Sequence, residues 1–324
     1  MKRGARVVAL IAMFAIAFAA AWIRLPFYAV GPGPAQDVAP LIDVQGVPRY
    51  ASRGELVMTT IRWYQVTALQ SVGAWIDDTQ FVVGEDEIYP PGQDRELEQE
   101  RAISQMDQSK IAASMVVLRE LFGYPDEHGR GALIDATGED CPATGELFVG
   151  DLIVAIDGRP VRSLAAADRA LEAVSVDEPV AFRVQAGGQT HDVEITRGSC
   201  GNSDEPLIGI RMVDAFPFEI EIASGEVGGP SAGLMFALGL YDTLTPGDLT
   251  GGRTIAGTGT IDADGAVGGI GGIVDKVVGA ERAGASVFLV PADNMGELEG
   301  VDTGDMRLIS VRSFHAAVEA LEGL

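Results

Sequence analysis

The spacing of apolar and polar positions changes several times along the chain, and each change predicts a different element. Lys2, Arg3 and Arg6 precede the uncharged run VVALIAMFAIAFAAAWI, Val7 to Ile23. That length is at the short end of the roughly 17 to 25 residues a helix needs to cross a bilayer. With Trp22 and Arg24 following as interface anchors, the run predicts a single-pass helix with a cytoplasmic N-terminus and an extracytoplasmic remainder. Ala17, Ala19 and Ala21 keep a cleaved signal peptide as the competing reading, and the length of the apolar run favours a retained anchor. VGPGPAQDVAPLIDV, residues 30–44, then reads as a Pro/Gly linker into extended sequence. GELVMTTIRWYQVTAL, residues 54–69, is rich in β-branched and aromatic residues and predicts a strand passing toward a helix.

From Gly84 to Arg101 a dense acidic stretch broken by Pro90 and Pro91 reads as a solvated loop entering a charged helix face. From Ala102 to Leu121 the apolar residues recur at helical spacing, and the helix ends at GYP. A second unit starts near Asp126. GALIDAT is a short strand, GELFVGDLIVAIDGRPV is strand, turn, strand, and SLAAADRALEAV is a helix. PVAFRVQAGGQTHDVEITRG is a hairpin turning at its GG pair.

The third unit alternates strands and helices, which makes the class mixed α/β. PFEIEIAS alternates as a strand, and SAGLMFALGLYDTL is apolar on nearly every side, hence a buried helix. RTIAGTGTI, a turn at DADG, the segment AVGGIGGI, a helix over 274–283, the strands SVFLVP and LISV, and a terminal helix SFHAAVEALEGL complete it.

Composition narrows the function classes. The 324 residues carry 47 acidic against 23 basic side chains, a formal net charge of -24. Such a surface repels a phosphate backbone, so nucleic acid is not an expected partner. Lysine occurs only as Lys2, Lys110 and Lys276. Cys141 and Cys200 are compatible with one disulfide in an oxidising compartment or with two unrelated buried thiols.

GGPSAG, residues 228–233, surrounds one hydroxyl, Ser231, with three glycines and a proline just before an apolar helix. A serine needs an adjacent base to act as a nucleophile. The three histidines, His128, His191 and His315, have ordinary explanations in the inserted unit or on the last helix, so a Ser-His-Asp triad is weakly supported. The segment does not fit the G-x-S-x-G elbow either. Lys276 is the other candidate base, because its neighbours Ile273, Val274, Val277 and Val278 are apolar and burial lowers a lysine pKa. The competing explanation is a lysine whose stem packs while its amine reaches solvent or pairs with Asp275 or Glu281. The glycines of GAVGGIGGI do not form a dinucleotide fingerprint, and DADG is too short for a calcium loop. No cofactor or metal is expected.

Two resemblances rest on these residues. GELFVGDLIVAIDGRPV, with Gly150, Asp151, Ile156, Asp157 and Gly158, resembles the core of bacterial PDZ domains. That likeness implies a peptide groove between a strand edge and the helix over 163–174, with a carboxylate-binding loop near His128 to Ile134. GGPSAGLMFALGLYD and IAGTGTIDADGAVGGIGGIVDKVVGAERAGASVFLVPADN resemble the proteolytic domain of Lon peptidases, and more closely membrane-anchored Lon-like proteins that carry a PDZ domain. The resemblance implies that Ser231 is the nucleophile, Lys276 its base and Thr258 a support for the lysine amine. Gly228 stands where many Lon sequences have aspartate, FPFEIEI lacks the histidine found in those enzymes, and no G-x-x-x-x-G-K-(S/T) occurs.

The expected layout is a tip and transmembrane anchor at 1–27, a linker and N-terminal part of the protease module at 28–125, a mainly-β PDZ domain inserted at 126–200, and an α/β (α+β) Lon-type proteolytic domain at 201–324. The expected function is a membrane-anchored serine endopeptidase acting on unfolded or terminal segments of extracytoplasmic proteins, without an ATPase of its own. Family likeness adds a possible ring-like homo-oligomer. The alternative is a non-catalytic PDZ peptide-binding membrane adaptor, and a nucleotide-driven protease would need a partner ATPase.

Overall fold

Strands that are far apart in sequence meet in one six-stranded sheet, and their alternating side chains decide which helices cover each face. In the computed structural model, which describes residues 2–324 apart from 78, 91, 93, 126–128, 202 and 226, the strand order is Arg307–Val311, Val287–Pro291, Thr254–Gly257, Glu55–Thr67, Arg24–Asp37, Phe81–Gly84. The first four run parallel, and the last two are each antiparallel to their neighbour. Leu56 and Met58 face one core with Ile255, Val287 and Leu289, while Val57 faces a second core with Ala256, Phe288 and Val290. The first core is closed by the helices Arg95–Phe122, Gly233–Leu244 and Phe314–Glu322. The helix Ile273–Arg282 closes the second through Ile273, Val277 and Ala280. The nucleophile candidate and the lysine candidate therefore belong to helices on opposite faces of the sheet.

The expected linker at 30–44 is largely strand. Residues 24–37 pair with 55–67 along most of their length, and only 42–44 forms a separate short strand, paired with Ile220–Ile222. The prolines fit because pairing to 81–84 stops at Val30 and the register with 55–67 shifts between Pro32 and Ala35, so no ladder donor is missing where they stand. Gly33 is needed for close approach, since a Cβ there would lie 2.3 Å from Thr60 Oγ1.

The long helix starts at Arg95, seven residues before the expected Ala102, with Asp94 accepting the Glu96 amide at 2.9 Å as its cap. It ends at Gly123 in the left-handed conformation, φ +72°. The acidic stretch is thus partly the first two turns of this helix, whose N-terminus favours negative charge.

The inserted unit is an antiparallel sheet in the order Ile210–Asp214, Ala132–Thr137, Leu152–Ile156, Pro179–Ala186, Gln189–Thr196, packed by the helix Leu164–Glu172 through Ala167 and Ala170. The expected boundary at residue 200 cuts through it, because the return strand 210–214 completes the sheet. A small ribbon, Gly198–Cys200 with Ser203–Leu207, intervenes and accounts for the change of pattern at that point. Cys141 and Cys200 form a disulfide beside this ribbon.

Strands before the inserted unit pair with strands after it, so the unit interrupts a single module. It is fastened there by an apolar seam of Ile111, Met115, Leu118 and Tyr124 against Leu133, Val149, Val213 and Phe216. Arg101 on the long helix adds a two-pronged bond to Glu139.

Residues Lys2–Trp22 form a helix, and Lys2, Arg3 and Arg6 are among the positions whose side chains lie outside the described residues. Among the described residues, no helix is long and apolar enough to cross a membrane.

Candidate active site

Ser231 occupies the middle of a 3-10 turn, Pro230–Ala232, that runs directly into the buried helix Gly233–Leu244. The flanking glycines explain how the turn forms. Gly229 has φ +85°, a conformation a side chain would strain. At Gly233 a Cβ would lie 2.5 Å from Ser109 Oγ and 2.7 Å from Ile261 Cγ2. The turn is held from below by the long helix: the Gly229 amide donates to the Ala102 carbonyl at 2.7 Å, and Ser109 Oγ donates to the Pro230 carbonyl at 3.0 Å. The same docking accounts for Gly228, where a Cβ would meet the Ala102 Cβ at 2.9 Å.

Lys276 reaches Ser231 from the other face of the sheet, past the end of strand Thr254–Gly257. Its Nζ stands 2.6 Å from Ser231 Oγ and 3.0 Å from Thr258 Oγ1. Thr258 Oγ1 also donates to the Ser231 carbonyl at 2.9 Å. A threonine hydroxyl has one proton. Spending it on that carbonyl leaves lone pairs toward the amine, so Thr258 accepts an N–H from Lys276 and orients the nitrogen toward Ser231. The backbone around Ser231 is fixed as well, with the Gly259 amide donating to its carbonyl at 2.8 Å.

Lys276 is 3% exposed and Thr258 1%. Burial pulls the lysine pKa down to about 8, and burial is the sole cause. The alternative in which this amine reaches solvent or pairs with Asp275 or Glu281 does not describe it. At pH 7.5 about a quarter of such amines are neutral, against roughly one in a thousand for an ordinary lysine. A neutral amine at 2.6 Å can take the Ser231 proton. The amide of Ser231, which precedes the first i→i+3 bond of the turn, has no intrahelical acceptor and can serve a developing oxyanion.

Among the described residues, no histidine lies in this cluster. His315 is exposed and faces Glu319 at 3.3 Å, His191 is exposed on its strand, and His128 lies outside the described residues. Ser109 and Asn294 are site supports that the sequence reading missed. Asn294, 4% exposed, pins the glycine-rich segment before the lysine helix by accepting from the Ile270 amide at 2.9 Å and donating to the Ile270 carbonyl at 2.8 Å. Neither carried a signal in the sequence, because Ser109 stands between Gln108 and Lys110 and Asn294 follows Asp293, among ordinary polar neighbours.

Thr258→Val tests the orienting bond. Valine leaves one Lys276 N–H unsatisfied in a dry site, at about 1–3 kcal/mol, while the Ser231 carbonyl keeps its bond from the Gly259 amide. The expected result is a fall in kcat of about 10- to 100-fold with little change in KM, measured with a fluorogenic peptide.

The carboxylate-binding loop is expected near His128 to Ile134. Residues 126–128 lie outside the described residues, and strand Ala132–Thr137 has a partner on each side, so no peptide strand can add to it. The free edge beside the helix Leu164–Glu172 is Ile210–Asp214, where the Asp214 carboxylate accepts the Leu164 amide at 2.8 Å. Two cavities, of about 920 and 320 Å³, flank the long helix between this unit and the module. The smaller one runs from Arg211 and Asp135 to Pro230, and neither is lined by Ser231 or Lys276.

Comparison with known proteins matches these two parts separately. Residues 211–321 match the Lon protease (S16) C-terminal proteolytic domain, and residues 134–185 match a PDZ domain. Lon protease 2 of Herpetosiphon aurantiacus is 42% identical over 103 residues, covering 31% of this chain and 12% of that protein. Lon protease 1 of Sorangium cellulosum is 43% identical over 82 residues, 25% of this chain and 10% of that protein. The chain thus spans only a small part of the length of these relatives. Among solved structures, the PDZ domain of an SdrC-like protein from Listeria monocytogenes is 26% identical, covering 26% of this chain and 88% of that one, with a TM-score of 0.24. The chain therefore carries a Lon protease (S16) C-terminal proteolytic domain together with a PDZ domain.

Proposed function

We propose that the chain is a serine endopeptidase that hydrolyses peptide bonds of extracytoplasmic proteins, held at a membrane by its N-terminal helix. The observation that carries the reading is the buried Lys276 amine 2.6 Å from Ser231 Oγ. Neutral Lys276 accepts the Ser231 proton as Oγ attacks the scissile carbonyl. The oxyanion is met by the free Ser231 amide at the turn, aligned with the positive end of helix Gly233–Leu244. Protonated Lys276 then gives its proton to the leaving amine, and a water activated by the same amine releases the acyl group. Thr258 keeps the nitrogen aimed throughout. None of these steps consumes a nucleotide.

The PDZ domain supplies recognition. An extended peptide adds to the free edge Ile210–Asp214 and lays side chains against the helix Leu164–Glu172. The chain then runs through Phe216 and Phe218 to the separate short strand Ile220–Ile222, only eight residues before Pro230, which joins recognition to the catalytic turn along one piece of chain. The anchor reading is supported by the uncharged run Val7 to Ile23, with Leu10, Ile11, Phe14 and Phe18 exposed along the helix Lys2–Trp22. It places the catalytic domain outside the cytoplasm, where the Cys141–Cys200 disulfide persists.

Treating the purified full chain with a fluorophosphonate and mapping the adduct by mass spectrometry tests the peptidase. The expected adduct is on Ser231. A chain that cleaves peptides yet carries the label on a different serine refutes the assignment, and a chain that neither labels nor cleaves leaves the peptide-binding adaptor as the function.

A further inference from the structure

We propose that the helix Ala68–Ile76 is a membrane-surface contact that lies in the lipid headgroup zone beside the base of the N-terminal helix. The inference rests on reading Lys2–Trp22 as an anchor. Its starting point is a helix that faces the wrong way for a soluble protein. Ala74 is buried against Ala29 and Val66, while the large apolar residues point out. Leu69 is 63% exposed, Val72 53%, Trp75 84% and Ile76 70%. Leu69, Val72 and Ile76 follow helical spacing, so they form one stripe with Trp75 beside it.

The chain's connectivity places this stripe at the anchor. Only Ile23 separates the end of the N-terminal helix at Trp22 from the strand beginning at Arg24. Arg24 pairs with Thr67, which is the N-cap of the helix Ala68–Ile76. The two helices touch directly. With no linker between anchor and sheet, this end of the module sits within a few ångströms of wherever the anchor leaves the bilayer. Strand Arg24–Asp37 adds Phe27, exposed toward the same end, while Phe81 and Val82 stand farther along the sheet, level with Val30 and Ala29. Exposed apolar residues this dense, with tryptophan among them, match the headgroup zone, where an indole buries its ring and keeps its N–H wet. Arg24 is exposed at this end in a chain of net charge -24, a cationic side chain suited to anionic headgroups.

The protein's three tryptophans, Trp22, Trp63 and Trp75, provide the test. Full-length single-tryptophan variants, made with Trp→Phe at the other two positions, are reconstituted in phosphatidylcholine/phosphatidylglycerol vesicles carrying spin-labelled lipid. Expected is quenching of Trp75 by about twofold with a label near the headgroups and less with a mid-chain label, while Trp63, four residues before the strand's end, is quenched less than Trp75. Trp22 reports the anchor separately. Quenching of Trp22 without Trp75 overturns this proposal and leaves the anchor standing, and quenching of neither overturns both. Trp75 emission that shifts with protein concentration and ignores spin-labelled lipid assigns the stripe to a second copy of the chain and also overturns it. Trp75→Ser with Leu69→Ser, far from Ser231, is expected to retain hydrolysis of a soluble peptide while losing the shallow quenching of a tryptophan restored at Val72.

Discussion

Lys276→Met is expected to lower kcat for peptide hydrolysis by about 10⁴-fold while making the protein more stable at pH 7. Methionine keeps an unbranched apolar stem and removes the amine, so the proton acceptor beside Ser231 disappears with little change in packing. The stability gain follows from linkage. The folded-state pKa is about 8, below the ordinary 10.5, so between these values the unfolded chain binds the proton and the folded chain does not. Stability therefore falls as pH drops from about 10.5 to about 8, and below about 8 the whole penalty, about 3 kcal/mol, is present. Hydrogen bonds from the amine to Ser231 and Thr258 offset part of it. The net gain for methionine is about 1–2 kcal/mol at pH 7 and vanishes toward pH 10.5, as read by denaturant titration at both pH values. Lys276→Arg does not rescue activity, because guanidinium stays charged at any usable pH. In the parent chain kcat/KM rises about tenfold per pH unit below pH 8 and levels off above it. A methionine variant that keeps its activity, or a flat profile across this range, contradicts the role of Lys276.

Much of this site was legible because its requirements are local. A small hydroxyl in GGPSAG before an apolar helix needs Gly229 at φ +85° and Gly233 at close approach, and only glycine meets both, so the pattern appears in the letters. Lys276 was harder to judge. Its own helix supplies apolar neighbours, yet its burial comes from the fold as a whole: strand ends and the turn 230–232 close around the amine from other parts of the chain. Thr258 acts through one hydroxyl that donates to a carbonyl and accepts from an amine, a geometry no spacing rule reveals.

The misread elements have a common cause. Residues 30–37 look like a linker because their prolines and glycines dominate the composition, but the missing N–H groups fall where a register shift and an unpaired flank ask for none. Strand 210–214 was assigned to the following domain because the polar ribbon around Cys200 separates it from its sheet partners. Its place is set by pairing with Ala132–Thr137, more than seventy residues earlier in the chain. In both cases tertiary pairing overrode a local reading that was physically reasonable.

Ser231→Ala is expected to reduce kcat by about 10⁵-fold and to leave peptide binding unchanged. The variant removes one oxygen and nothing that shapes the turn, since the contacts that fix residue 231 are made by its backbone: its carbonyl accepts from the Gly259 amide at 2.8 Å and from Thr258 Oγ1 at 2.9 Å. Gly229 still docks on Ala102, and Lys276 still donates to Thr258 and stays buried. The free backbone amide of residue 231 still polarises a bound carbonyl and sustains a residual rate of about 10³–10⁴ over water. The measurement pairs single-turnover hydrolysis of a quenched-fluorescence peptide with its dissociation constant by anisotropy. Loss of turnover at constant affinity separates a peptidase from an adaptor, because an adaptor has no turnover to lose. An alanine variant that cleaves within tenfold of the parent places the nucleophile elsewhere, and one that loses binding with its rate shows that Ser231 holds the turn.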